Sequence, residues 1–231
     1  MNAMHPDLPA RVVDFPIPEH DERSRQIVVL TDPASPAAEA VRAIRTRVIA
    51  QHVQLGRRAL AVCSVSPSVQ ASFVAANLAV AMAQVGVRTL LVDADIRFAP
   101  VAPMFGLSEA DLGLSDLLVD EGLDPSEVIR QMPLPGLSII TAGASTEQGA
   151  EYLASARYTA VANRFMREHD LTIFNTTPSN RSADGQRVAT VAGFAMIVAA
   201  KDKSYVRDIE TLANALKADG AQVTGSVLLS A

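Results

Sequence analysis

One uninterrupted unit, Ala59 to Ala83, restricts this chain more than any other. Ala59-Leu60-Ala61-Val62-Cys63 is an apolar run without alternation, the pattern of a buried strand. Ser72-Phe73-Val74-Ala75-Ala76-Asn77-Leu78-Ala79-Val80-Ala81-Met82-Ala83 reads as a buried helix. Between them lies Ser64-Val65-Ser66-Pro67-Ser68-Val69-Gln70-Ala71-Ser72. A strand–loop–helix of this kind cradles phosphate when glycines let successive N–H groups turn inward and a lysine reaches the outer phosphates. This loop contains neither residue type.

The same grammar recurs downstream. Thr89-Leu90-Leu91-Val92-Asp93-Ala94-Asp95 is a run ending in carboxylates, expected to be a central strand whose C-terminal end opens on a crevice, with Asp93 and Asp95 projecting to one side. Further strands are expected at 137–143, 171–175, 194–200 and 223–229. Helices are expected from Pro36 to about Val53, at 113–118, from Ala156 to about His169, and at 204–219. Ser35 is placed to cap the first of these helices, with Pro36 at its first position. Strands alternating with helices imply right-handed βαβ units. The fold class is therefore α/β: a doubly wound, mostly parallel sheet flanked by helices.

Length and composition suit one domain. A chain of 231 residues that is 49% hydrophobic can bury a sizeable core. Residues 1–25 are rich in proline and charge without periodicity and read as a flexible tail, leaving 26–231 as the domain, with 26–30 a short extended segment. The net charge of −5 and scattered arginines argue against nucleic acid or anionic lipid as partners. No stretch reaches the roughly 20 apolar residues that cross a bilayer, and the N-terminus has no signal pattern, so a cytoplasmic protein is expected. The single cysteine, Cys63, reads as a core residue. The four histidines have no metal-ligand spacing and form no Ser/His/Asp arrangement, and no metal site is expected.

Several stretches, taken in order, resemble the deviant-Walker P-loop ATPases, and within them the bacterial tyrosine kinases of capsule and exopolysaccharide export. They are Ser35-Pro36 leading into Glu39-x-x-Arg42-x-x-Arg45-Thr46, Ala75-Ala76-Asn77-Leu78-Ala79, Leu90 to Arg97, Phe105-Gly106-Leu107 with Gly113-Leu114-Ser115-Asp116-Leu117-Leu118, Ala150-Glu151-Tyr152-Leu153-Ala154-Ser155, Asp184, and Gly225-Ser226-Val227-Leu228-Leu229. The resemblance implies a three-layer P-loop NTPase-like sandwich. It also implies that Glu39, Arg42 and Arg45 are a subunit contact, whereas on spacing alone they read first as a solvated face holding one (i, i+3) ion pair, Glu39 with Arg42.

The departures from that pattern shape the functional expectation. Gln70 and Ala71 hold the family's Gly-Lys positions, Ser72 is retained, and Asn175-Thr176-Thr177-Pro178 stands where the family has Asp-Thr-Pro-Pro. Losing the lysine forfeits charge-assisted hydrogen bonds of about 1.5–3 kcal/mol each, and about 1.4 kcal/mol is a tenfold change in affinity. The family's C-terminal tyrosine cluster does not occur within this sequence, and Tyr152, Tyr158 and Tyr205 fall in or beside helices.

The expectation is a catalytically silent, kinase-like protein without a cofactor. Its loop residues Ser66, Ser68, Gln70, Ala71 and Ser72 would be vestigial, with Asp93 and Asp95 retained and Asn175 substituted. It would oligomerise and dock on a membrane-embedded polysaccharide copolymerase or chain-length protein, serving exopolysaccharide, capsule or holdfast synthesis without entering the membrane. The alternative is an active ATP- and Mg²⁺-dependent tyrosine kinase or ATPase with an unusual loop using the Ser66, Ser68 and Ser72 hydroxyls with Asp93 and Asp95. Below it stands a partition or cell-division ATPase, which would want a basic surface or a basic amphipathic terminal helix.

Overall fold

The structure, a computed structural model, describes residues 13–16, 27–108, 111–144 and 148–230, with the side chains of 13–16 and Ser68 outside the description. In chain order the elements are β1 (Val13–Pro16), α1 (Val28–Thr31), α2 (Pro36–Gln51), β2 (Ala59–Ser64), α3 (Ala71–Ala83), β3 (Thr89–Asp93), α4 (Val101–Met104), α5 (Leu114–Val119) and α6 (Pro125–Val128). There follow β4 (Arg130–Gln131), β5 (Leu137–Ile140), α7 (Gly149–Leu153), α8 (Ala156–Glu168), β6 (Leu171–Asn175), α9 (Asp184–Ala192), β7 (Phe194–Ala200), α10 (Val206–Ala218) and β8 (Gln222–Ser230).

The strands form one sheet in the order β1-β8-β7-β2-β6-β3-β5-β4, parallel except for β4 on β5. Every residue of β2, β3, β5 and β6 is buried, so both faces of the sheet centre are covered. Helices α1, α2 and α3 pack together as one layer, and α7 to α10 pack in succession as the other. Leu60, Leu90, Leu91 and Phe174 fill the space between the layers. The doubly wound, mostly parallel sheet read from the alternating runs, and the three layers implied by the resemblance, are the observed fold.

Local chemistry explains the helix boundaries. Ser35 accepts from the Ala38 amide at 3.2 Å and Pro36 opens α2. Helix α3 is apolar all round and buried at nearly every position, as befits a helix wedged between sheet and α2. Its one polar interior residue, Asn77, is used on both ends: Nδ2 donates to Phe73 O at 2.9 Å and Oδ1 accepts from Val29 N at 3.3 Å.

Two expectations are corrected. Val28–Thr31, within the segment expected to be extended, is a helical turn, because Val29 tucks its amide onto Asn77 and the short segment is held by α3. Val13–Pro16, inside the expected tail, forms an edge strand on β8; edge pairing through backbone groups leaves no periodicity in so short a run. The rest of 1–25, together with Gln26, lies outside the described residues. No helix among the described residues is long and apolar enough to cross a membrane.

Candidate functional site

Strands β2, β3 and β6 are neighbours, so their C-terminal ends bring Ser64, Asp93 and Asn175 to one rim, with Asp93 paired in register with Asn175. Here lies a crevice of about 160 Å³, walled on one side by the loop after β2 and the start of α3, and on the other by Asp95 and the residues after β6. In an open parallel sheet this is where ligands sit.

Pro67–Val69 form a tight 3-10 turn, with Val69 N donating to Ser66 O at 3.2 Å and Gln70 N to Pro67 O at 3.4 Å. These two amides are consumed within the turn instead of facing an anion. Gln70 sits at φ 50°, ψ 45°, the left-handed conformation that glycine adopts without strain, and α3 begins immediately after it. Ser66, Gln70, Ala71 and Ser72 all line the crevice, so the first turn of α3 offers it N–H groups and the positive end of the helix. The side chain of Ser68 lies outside the described residues.

The two retained aspartates have different positions. Asp93 Oδ1 accepts from Asn175 Nδ2 at 2.8 Å and from Asp95 N at 3.3 Å, while Oδ2 accepts from Val101 N at 2.9 Å. It is fully buried and does not line the crevice. Burial pushes its carboxyl up to about 7, against the pull of the Asn175 and Val101 donors, and the Asp95 charge adds to the rise. Asp95 lies beyond the end of β3, where the chain has turned, and it alone of the pair reaches the crevice. Thr177 Oγ1 donates to its Oδ1 at 2.9 Å; burial raises this carboxyl too, opposed by Thr177 and by nearby backbone amides. The projection of both aspartates to one side is thus corrected by the turn after Asp93.

Asn175 does more than remove a charge. Its Nδ2 braces Asp93, and its Oδ1 is buried with no hydrogen-bond partner among the described residues. An orphaned acceptor in a buried site is costly unless a ligand or water supplies a donor. Among the described residues no group of three or more His, Cys, Asp or Glu gathers that could hold a metal. Magnesium carried by a nucleotide needs less: one or two carboxylates, the substrate's phosphates and its own waters. Asp95, the Ser72 hydroxyl and Asn175 Oδ1 fit that modest requirement.

Cys63 is buried beneath the crevice with its thiol pushed up to about 11 by burial, a core residue as expected. Sequence reasoning missed Thr177, the donor to Asp95, and Arg181, which lines the crevice. The available signal was a turn-forming run, Pro178-Ser179-Asn180, after a strand end and followed by a lone cation.

No family model matches the chain. It is 28% identical over 208 residues to the tyrosine-protein kinase wzc of Salmonella typhimurium, an alignment covering 90% of this chain and 29% of that protein. It is 26% identical over 196 residues to the putative tyrosine-protein kinase CapB of Staphylococcus aureus, covering 85% of each. Its homologues are bacterial tyrosine-protein kinases. The chain thus spans less than a third of the longer relative and most of the shorter one.

Among solved structures, the chimerical protein CapA2B2 superposes with a TM-score of 0.84 at 25% identity, covering 94% of this chain and 93% of that one. The kinase domain of the Escherichia coli tyrosine kinase ETK superposes at 0.85 and 24% identity over 94% and 89%, and the cell division ATPase MinD of Pyrococcus furiosus at 0.64 and 22% identity over 74% and 71%. These last two are likenesses of fold. The expectation that the chain is no enzyme is overturned by these homologues, which are kinases by name and point to an enzyme.

Of the expected interface residues, Arg42 Nη1 donates to Glu39 at 2.8 Å and Nη2 to the carbonyl of Pro33, so the pair is already closed within the chain. Arg45 is half-buried on the same helix. Of the tyrosines, Tyr158 is buried, Tyr152 Oη donates to Gln148 at 2.6 Å, and Tyr205 is 76% exposed before α10.

Proposed function

We propose that the chain is an ATP-dependent protein-tyrosine kinase of polysaccharide synthesis and export, working with a lysine-free phosphate loop. The observation that carries this reading is the pairing of kinase homologues with a crevice that keeps Ser72 at the start of α3 on one wall and Asp95 on the other, where a nucleotide's phosphates and Mg²⁺ would lie between them. When bound, Mg²⁺ would supply charge neutralisation to the transferring phosphoryl group. Asp95 and Ser72 would hold it, and Asn175 Oδ1 would accept from one of its waters. Asp93, locked by three donors, would fix the end of β3 and hence the position of Asp95.

The loop has consequences for rate and affinity. Two of its amides are turned into the 3-10 turn, and the lysine's charge-assisted bonds of about 1.5–3 kcal/mol each are missing, which weakens nucleotide binding about 10- to 150-fold for each bond relative to a loop that has them. A high ATP requirement is therefore part of the reading. The polysaccharide setting, a membrane-embedded copolymerase as partner, a place at the inner face of the membrane through that partner, and assembly through Glu39, Arg42 and Arg45 rest on the resemblance read from the sequence.

The test is transfer of radiolabelled γ-phosphate to tyrosine, on the chain itself or on a Glu/Tyr copolymer, at millimolar Mg-ATP with protein free of other kinases. Phosphotyrosine above background is expected. No label with either acceptor, and none when the chain is combined with its membrane partner, would refute the reading.

A further inference from the structure

A nucleoside triphosphate brings three to four negative charges into a crevice whose wall already holds Asp95, and the positions expected to carry a counter-charge are Gln70 and Ala71. Mg²⁺ held by Asp95 would offset part of that charge, and the loop after β2 supplies no cation for the rest. Among the described residues that line the crevice there is one cation, Arg181, and it arrives from the opposite wall.

The backbone beneath Arg181 is built rather than loose. Ser179 N donates to Ser64 O at 2.9 Å and Asn180 N to Val65 O at 3.2 Å, which ties the segment after β6 to the first residues of the loop after β2. Arg181 N and Ser182 N then both turn back to Pro178 O, at 2.9 and 3.3 Å, closing a turn. The guanidinium lies 5.7 Å over the ring of Phe98, itself 53% exposed and part of the crevice wall. A ring beneath an arginine restrains it without neutralising it.

Arg97, two residues after Asp95, is engaged: its Nε donates to the buried Asp184 at 3.1 Å. Among the described residues no carboxylate lies within ion-pair distance of Arg181. A second observation on the same crevice also asks for a ligand, since Asn175 Oδ1 is buried without a donor.

We infer that Arg181 is the phosphate-binding cation of this site, supplying from the segment after β6 the charge that the loop after β2 lacks, and that it takes the outer phosphates of a nucleoside triphosphate. A guanidinium suits that role, because its planar fork of donors matches phosphate oxygens two at a time. The inference rests on the nucleotide reading above and adds the residue that makes it electrostatically workable.

Isothermal titration of the full chain with Mg-ATP, Mg-tripolyphosphate and adenosine, repeated on R181A and R181K, tests it. Arg181→Ala is expected to weaken ATP and tripolyphosphate binding about 10- to 100-fold and leave adenosine unchanged, with Arg181→Lys recovering part of the loss. Equal ATP affinity in R181A and the unaltered chain overturns the assignment while leaving the nucleotide reading standing. Absence of both ATP and tripolyphosphate binding in the unaltered chain overturns both. Arg181 is exposed, so its replacement is expected to leave the urea midpoint in place. A lowered midpoint in R181A with no recovery of tripolyphosphate binding in R181K, or an equal loss for adenosine, would make the residue structural and overturn the inference.

Discussion

Replacing Asn175 by aspartate restores the residue type that the kinase pattern carries, yet it is expected to damage this chain when no metal is present. Asn175 Nδ2 donates to Asp93 Oδ1 at 2.8 Å in a fully buried setting, and Asp93 is already pushed up to about 7. The substitution exchanges that donor for an acceptor and sets two carboxyl groups at hydrogen-bond distance, where both cannot ionise. Loss of a hydrogen bond to a charged acceptor costs about 1.5–3 kcal/mol. For a domain of this size that lowers Tm by about 3–12 °C.

Thermal melts followed by circular dichroism at pH 8 in EDTA should show the fall. At pH 5.5 it should shrink, because a proton shared between the two carboxyls replaces the lost bond. Millimolar Mg²⁺ at pH 8 should recover part of it, since the new carboxylate and Asp95 would then have a cation between them. An unchanged or higher Tm at pH 8 without metal would refute the reasoning that Asn175 exists to brace Asp93.

Burial lifts Asp93 from 3.8 to about 7, so between those values the folded chain holds a proton that the unfolded chain has lost, and stability falls as pH rises through that window. Asp93→Asn should flatten this slope in urea titrations between pH 5 and 8; His52, whose pKa burial lowers, acts in the opposite sense below 6.5 but equally in both proteins and cancels in the comparison. Gly113→Ala should lower the urea midpoint by at least 2 kcal/mol equivalent, roughly, because a Cβ there would run into the backbone of Gly143 and Thr141, which cannot swing aside. Reversing charge at Arg42 and Arg45 should reduce the mass seen by light scattering toward one chain, and an unchanged mass would count against an interface on α2.

Much of the fold was readable because buried parallel strands leave unalternating apolar runs. β6 and β7 fall on 171–175 and 194–200 as expected, and α2 starts at the Ser35-Pro36 cap. Elements held by tertiary contacts were not readable: α1 depends on Asn77, 48 positions away, and β1 has only backbone pairing to declare it. In the site, residue types announced the loop and the carboxylates, but their division of labour did not show. Asp93 turns inward to three donors and Asp95 turns outward because the chain bends between them. Arg181 acquires meaning only when Ser64 and Val65 draw its segment across the crevice.

The left-handed backbone at Gln70 has an energetic consequence. A side chain there costs about 1 kcal/mol that glycine would not, so the loop has the hand of a glycine turn without the glycine. Glycine at this one position would relax the chain instead of disturbing it, while the 3-10 turn before it would still hold the Val69 and Gln70 amides away from a ligand. Strain at Gln70 and access to the loop amides are therefore separate properties, and easing the first leaves the second as it is.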